Sequence, residues 1–256
     1  MVVGLERFRA HFAGLGDRYV LIGGVATQLA LEAAGVAFRP TKDLDIVLMA
    51  EALDAVFMLR FWQFVHDGRY DERTYSSADN EPQPRRTLYR FRTPQVPDYP
   101  AMLELFARQP LDNPPQGHLT RIAAHDEGSS LSAILLLPDY YRVILDHREV
   151  RDGLPVVRPE GLIPLKAKAW LDLSERRARG EPVDGRTVRK HATDVLRLAQ
   201  LLTPAQRVST EESVQVDLAQ FRTAAPPTLG EVTTLEGIGR VEVTTTMALL
   251  ARVYGL

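Results

Sequence analysis

The tightest constraint on the fold lies between residues 19 and 49, where an apolar run YVLI meets two glycines, a helical stretch follows, and the run DLDIVLM closes the segment. Four apolar residues ended by Gly23 and Gly24 read as a strand that turns sharply. VATQLALEAAG then places alanine and leucine at helical spacing until Gly35 offers a stop. A second strand is predicted over residues 44–49, with acids at its start. Side chains alternate along a strand, so Asp43 and Asp45 share one face while Leu44 and Ile46 take the other. Two carboxylates on one face repel and lose hydration, so a chain that places them there gives them a cation or leaves them in water.

The remaining pattern extends this strand, turn and helix unit. Residues 3–13 are amphipathic at helical spacing, and 51–60 return to helix. The composition over 68–100 is polar and proline-rich, with a strand predicted at 87–93. AMLELF, at 101–106, is a third apolar run, and Glu104 is its one acid. Residues 131–145 read as strand then helix, and 165–202 as almost wholly helical with a turn through GEPVDG. A helix is expected over 209–222, then a proline-containing loop, then a last helix beginning in the threonine run near 244. A change of character near Pro159 suggests two domains, 1–158 and a helical 159–256.

Bulk properties exclude several function classes. The chain has 256 residues and a formal net charge of -2, which gives no global attraction to nucleic acid or anionic lipid. It has no cysteine, which removes disulfides, thiolate metal sites and cysteine nucleophiles together. The first residues lack the apolar core of a signal peptide and no stretch approaches a membrane span, so the expected location is the cytoplasm, with no membrane partner. His118 and His125 have no partner at zinc-binding spacing. Ser129, Ser130 and Ser132 lack the nucleophile-elbow pattern, and no P-loop or dinucleotide-binding fingerprint occurs.

A strand ending in Gly23-Gly24, a helix, and then R-P-T-K-D-L-D-I on the next strand resembles the DNA polymerase β-like nucleotidyltransferases. LIPLKAKAWLDL, followed by RKHATDVLRL, is similar to the closing half of the AbiEii-like branch, which includes toxins of toxin-antitoxin pairs. The resemblance implies an α/β (α+β) fold: a small mixed β-sheet nucleotidyltransferase domain flanked by helices, followed by a mainly helical C-terminal domain. It also implies transfer of NMP from an NTP to a hydroxyl acceptor, tRNA or protein, with Mg²⁺ as cofactor and an antitoxin as partner. Two other readings stay open: an inactive nucleotidyltransferase fold that binds or regulates, and a small-molecule nucleotidyltransferase of the antibiotic-modifying type.

Each implied role has a physical basis. Glycines let the backbone approach a phosphate chain, and the helix they open offers N–H groups and its positive dipole end to the same anion. Gly23, Gly24 and Thr41 are therefore the expected nucleotide-binding residues. Asp43 and Asp45 supply hard oxygen ligands for Mg²⁺, and Glu104 is the expected third carboxylate, where the family more often has aspartate. Lys166 is carried over as the cation that offsets triphosphate charge. Asp194 orients that lysine or takes a proton from the incoming hydroxyl. Lys168 points about 200° away from Lys166 on an ideal helix, so only one of them serves the same cleft, and Lys166 is preferred. Arg39 reads as a support for the acids. The basic run over 175–190 reads either as a phosphate-backbone footprint or as the solvated side of two helices, and the arginines of 84–92 are candidates to extend it.

Overall fold

The computed structural model describes residues 3–38, 41, 43–48, 55–70, 87–107, 134 and 137–256. Strand β1 (Tyr19–Ile22) ends where the glycines begin, and helix α2 (Gly23–Ala33) starts on them after a first helix α1 (Leu5–His11). Strand β2 (Asp43–Leu48) carries the acids. Its pattern behaves as alternation requires: Leu44 and Ile46 are fully buried while Asp43 and Asp45 remain partly exposed. Helix α3 (Ala55–Gly68) follows and runs further than the expected 51–60.

Strands β3 (Thr87–Arg92), β4 (Met102–Ala107), β5 (Arg148–Arg151) and β6 (Leu154–Val157) complete a six-stranded sheet ordered β3-β4-β2-β1-β6-β5. β2 is antiparallel to β1 and parallel to β4, while β6 is parallel to β1, so the sheet is mixed as expected. The acid strand is thereby interior, with a neighbour on each side. β5 and β6 were not foreseen as separate strands. They are joined by Asp152-Gly153, both at positive φ (48° and 77°), which is what a tight two-residue hairpin turn demands.

Chain contacts define two compact units: Met1–Val25 with Pro40–Leu136 and Glu149–Val156, and Ala26–Arg39 with Leu137–Arg148 and Val157–Leu256. The first holds the sheet and an aromatic core. Phe12 lies within about 6 Å of Phe8, Tyr19, Phe57 and Phe64, ring centre to ring centre. Such pairs add about 0.5–1.5 kcal/mol each beyond their buried area. This cluster fixes α1 and α3 in the same unit as the acid-bearing strand.

The second unit is mainly helical: α4 (Pro138–Asp146), α5 (Pro159–Ala178), α6 (Gly185–Ala199), α7 (Glu212–Ala224), the short α8 (Pro226–Leu229) and α9 (Val243–Tyr254). Helix α5 begins with Pro159 at its first position, has Glu160 in its first turn and Arg176 and Arg177 in its last, matching the helix dipole at both ends. Pro164 lies inside it and has no N–H to give the Glu160 carbonyl. The Tyr254 hydroxyl of α9 donates to that carbonyl instead, at 2.8 Å. Asp184 caps α6 by accepting from the Arg186 N–H at 2.9 Å.

The expected proline-containing loop proves more regular, with α8 followed by a two-stranded hairpin, β7 (Val232–Leu235) and β8 (Gly239–Glu242). Alternating β-branched residues in EVTTL and RVEV form the strands, and Gly237 and Gly239 supply positive φ at the turn. The strand expected over 131–136, apart from Ile134, lies outside the described residues, as do Arg39, His118, His125, Ser129, Ser130, Ser132 and residues 84–86. Among the described residues no helix is long and apolar enough to cross a membrane.

Candidate active site

In the first unit the sheet register gathers the acids. Asp45 pairs with Ile22, the last residue of β1, and on its other side with Glu104 of β4. Residues opposite one another in a ladder share a face, so Asp45 and Glu104 lie side by side, with Asp43 two residues back on the same face. Glu104 is buried, at 5% exposure, between Leu103 and Leu105, which are completely buried. An acid in that position is the least expected residue of its strand on packing grounds.

The glycine turn abuts this group. Gly23 has φ +66°, and a Cβ placed on it would lie 1.7 Å from Asp45 Oδ2. Any side chain there would drive into the carboxylate, and the backbone conformation itself disfavours all but glycine. A Cβ on Gly24 would come within 2.7 Å of the Thr41 hydroxyl oxygen. Gly23, Gly24, Thr41 and Asp45 are thus brought together, with Glu104 adjacent to Asp45.

The donor set suits a hard divalent cation: carboxylate oxygens without sulfur. Among the described residues no group of three or more histidine, aspartate or glutamate side chains is gathered closely enough to hold a metal alone. Magnesium does not require such a cage, because it binds through one or two carboxylates and completes its shell with water and substrate phosphate oxygens. Beside Asp43, a cavity of about 610 Å³ is lined by Arg92, Pro94, Pro97, Tyr99 and Met102. No local pattern of residues signals it, since its rim is formed by the loop between β3 and β4.

In the second unit Lys166 and Asp194 meet across α5 and α6, with Nζ 3.4 Å from Oδ2. The lysine side chain is 7% exposed and the carboxylate 0%. In this geometry the Asp194 carboxylate holds the lysine ammonium in place. Arg197, one turn further along α6, also meets Asp194, with Nη1 3.3 Å from Oδ1. Its guanidinium carbon lies 5.6 Å from the centre of the Phe38 ring. Arg197 escaped notice in the sequence, although its spacing from Asp194 on a helix is the signal that would have found it.

Lys168 turns to a different set of partners. Its ammonium lies 3.4 Å from Asp172 and 3.2 Å from Asp217 of α7, and the Tyr140 hydroxyl donates to Asp217 at 2.8 Å. Burial alone would lower the lysine pKa, but Asp172 and Asp217 outweigh it and hold it above the ordinary value. Burial pushes the Asp172 carboxyl up, against the pull of Lys168. The expected divergence of Lys166 and Lys168 is therefore realised as two separate ion clusters on one helix.

The basic run over 175–190 meets much of its charge internally. Arg176 pairs with Glu181 at 2.7 Å, Arg179 with Glu175 at 2.8 Å and with Glu181 at 3.1 Å, and Arg186 with Asp184 at 3.4 Å. Glu181 is held below its ordinary pKa, first by its hydrogen bond from Arg176. Exposed pairs of this kind are those of a solvated helical surface.

No curated protein and no solved structure matches the chain. A family model described as "Nucleotidyl transferase AbiEii toxin, Type IV TA system" matches residues 7–244, spanning both the glycine–aspartate region and the Lys166–Asp194 pair. With nearly the whole chain aligned to it, this protein belongs to the AbiEii nucleotidyltransferase toxin family of type IV toxin-antitoxin systems.

Proposed function

We propose that the chain is a magnesium-dependent toxin of the cytoplasm that transfers NMP from an NTP to a hydroxyl of tRNA or of a protein, and that an antitoxin partner restrains it. The observation that carries the reading is the packing of the Gly23 turn directly against Asp45, with Glu104 as its neighbour in the sheet. Phosphate-approaching backbone and cation-binding carboxylates then occupy one place in the first unit. In the proposed reaction the acceptor oxygen bonds to the α-phosphorus, the bond from that phosphorus to the bridging oxygen breaks, and pyrophosphate leaves with the electron pair. The hydroxyl proton passes to solvent.

Mg²⁺ would bind at the face shared by Asp43, Asp45 and Glu104, with one or two of these carboxylates as ligands and phosphate oxygens and water completing its shell; when bound it neutralises phosphate charge and polarises the reacting phosphoryl group. Gly23 and Gly24 admit the phosphate chain to backbone N–H groups, with Thr41 beside them. Lys166 offsets triphosphate charge, and Asp194 acts as its positioning residue. The test is a label-transfer assay with each of the four α-labelled NTPs against total RNA and total cell protein, with Mg²⁺ or with chelator. Expected is transfer that needs the metal and disappears in Asp43→Ala and Asp45→Ala. Transfer that persists in both variants would refute the assignment of the acids, and no transfer from any NTP by the wild type would refute the activity.

A further inference from the structure

The cavity beside Asp43 is built by the loop that joins β3 to β4, and the whole of it lies in the first unit. Across the sheet Arg92 pairs with Met102 and Met102 with Asp43, so the cavity opens on the row of the ladder that carries the first acid. The loop is held at several points. The Thr93 N–H donates to the Ala101 carbonyl at 3.2 Å, the Gln95 and Val96 N–H groups donate to the Gly68 carbonyl at 3.1 and 3.3 Å, and the Tyr70 hydroxyl donates to the Pro100 carbonyl at 2.7 Å. Two lining residues, Thr93 and Asp98, have positive φ, 54° and 64°. For a β-branched residue that conformation is a true outlier, and backbone held in sparsely populated regions gathers at ligand sites. Asp98 is exposed, and among the described residues its carboxylate has no hydrogen-bond or ion partner.

We propose that this cavity is the acceptor subsite, that it takes the terminal nucleoside of a single-stranded RNA end, and that Asp98 is its specificity-determining residue, accepting a hydrogen bond from the exocyclic amino group of the terminal base. The inference rests on nucleotidyl transfer at the Asp43 face and names the acceptor group selected there. At about 610 Å³ the cavity has room for a whole nucleoside, whereas a serine or threonine side chain would leave most of it empty. Pro94, Val96, Pro97 and Met102 give it the apolar walls that the flat face of a base requires. Asp43 and Asp98 repel phosphate from the interior, so the RNA enters by its end, with the chain on the side of Arg92. A carboxylate accepts from the amino group of cytosine or adenine and repels the carbonyl that uracil presents at the same place.

The experiment measures, by fluorescence anisotropy and without NTP or divalent metal, how the full chain binds 5′-labelled pentaribonucleotides that differ only in a 3′-terminal cytidine, adenosine or uridine. Wild type and Asp98→Asn are compared, with a serine-containing pentapeptide as the protein probe. Asparagine tolerates the positive φ at this exposed position, so the variant keeps its fold. Expected for the wild type is binding of the cytidine and adenosine ends about tenfold tighter than the uridine end. In Asp98→Asn the amide offers both an acceptor and a donor, and the preference should shrink to about twofold or less. Equal affinity of the wild type for the three ends, or a preference unchanged in Asp98→Asn, overturns the inference. Tighter binding of the pentapeptide than of every RNA end gives the cavity to protein and overturns it as well. The underlying reading fails separately: terminal preference that depends on Asp98, without label transfer from any NTP, would leave Asp98 reading the RNA end and remove the reaction.

Discussion

Two residues apart on α5, Lys166 and Lys168 enter clusters built from the same kinds of group with opposite results. Around Lys168, two carboxylates and the Tyr140 hydroxyl give a set with one negative charge in excess, partly open to water. On the other side, Lys166 and Arg197 both meet the Asp194 carboxylate, which has no exposure at all. The first is finished by protein groups: its lysine is stabilised in the charged form, while burial still raises the Asp172 carboxyl. The second is drier, with Lys166 at 7% and Asp194 at 0% exposure, so each charge depends more strongly on its partner. The difference teaches that depth of burial, more than the presence of a salt bridge, decides how much the loss of one partner costs.

Breaking the drier cluster at its centre has the largest expected effect. Asp194→Ala leaves Lys166 and Arg197 buried with no carboxylate between them, and should lower unfolding free energy by about 3–5 kcal/mol, read by urea titration. A loss under about 1 kcal/mol would mean that water already reaches both cations. The next largest contrast is functional. Lys166→Met should reduce NMP transfer about 100-fold or more, the range seen when a charge-stabilising donor is removed, whereas Lys168→Met should leave turnover near wild type and lower stability. Equal loss of activity in the two variants would erase the distinction drawn between the clusters.

A smaller effect isolates the anionic cluster. Tyr140→Phe removes the hydroxyl that donates to Asp217 and should lower stability by about 1–2 kcal/mol, with transfer unaffected. Burial first, then the charge of Asp217, raises the Tyr140 pKa far above its ordinary value, so the hydroxyl stays a donor throughout the usable pH range. A Tyr140→Phe variant that lost activity would tie this cluster to the reaction.

Much of this could be read from residues alone, and the reasons for success and failure differ by scale. The turn at Gly23-Gly24 and the split faces of DLDIVL were legible because strand alternation and glycine conformations are local rules. Glu104 was legible as an anomaly, an acid in an apolar run, and the parallel register then set it beside Asp45. Lys166 and Asp194 could be paired only through the family resemblance, since nothing local links residues on separate helices. Asp217 was not legible because its partners Lys168 and Tyr140 are chosen by helix packing, whereas Arg197 stands three residues from Asp194 on one helix and was open to a local rule. The hairpin of β7 and β8 was missed for another reason: its alternating threonines and valines were read as part of a loop, although Gly237 and Gly239 mark the turn.

The finest test of the comparison is the pH dependence of Asp172. Its folded pKa is raised above the ordinary 3.8, first by burial and against the pull of Lys168. In the window just above 3.8 the folded chain therefore binds more protons at this site than the unfolded chain, and the site's contribution to stability falls as pH rises through that window. Lys168 acts at the other end of the scale: its pKa is raised above 10.5, so its contribution is complete below that value and is lost only as pH rises through the folded pKa. Asp172→Asn removes the acid-side term and leaves Lys168 paired with Asp217. At neutral pH the change in stability should be less than about 1 kcal/mol, as for other partly exposed pairs. The difference in unfolding free energy between wild type and Asp172→Asn, followed by urea titration from pH 4 to neutrality, is expected to decline as pH rises. A difference that grew with pH would mean that the lysine, and not burial, governs the carboxyl, and that the anionic cluster is held as tightly as its drier neighbour.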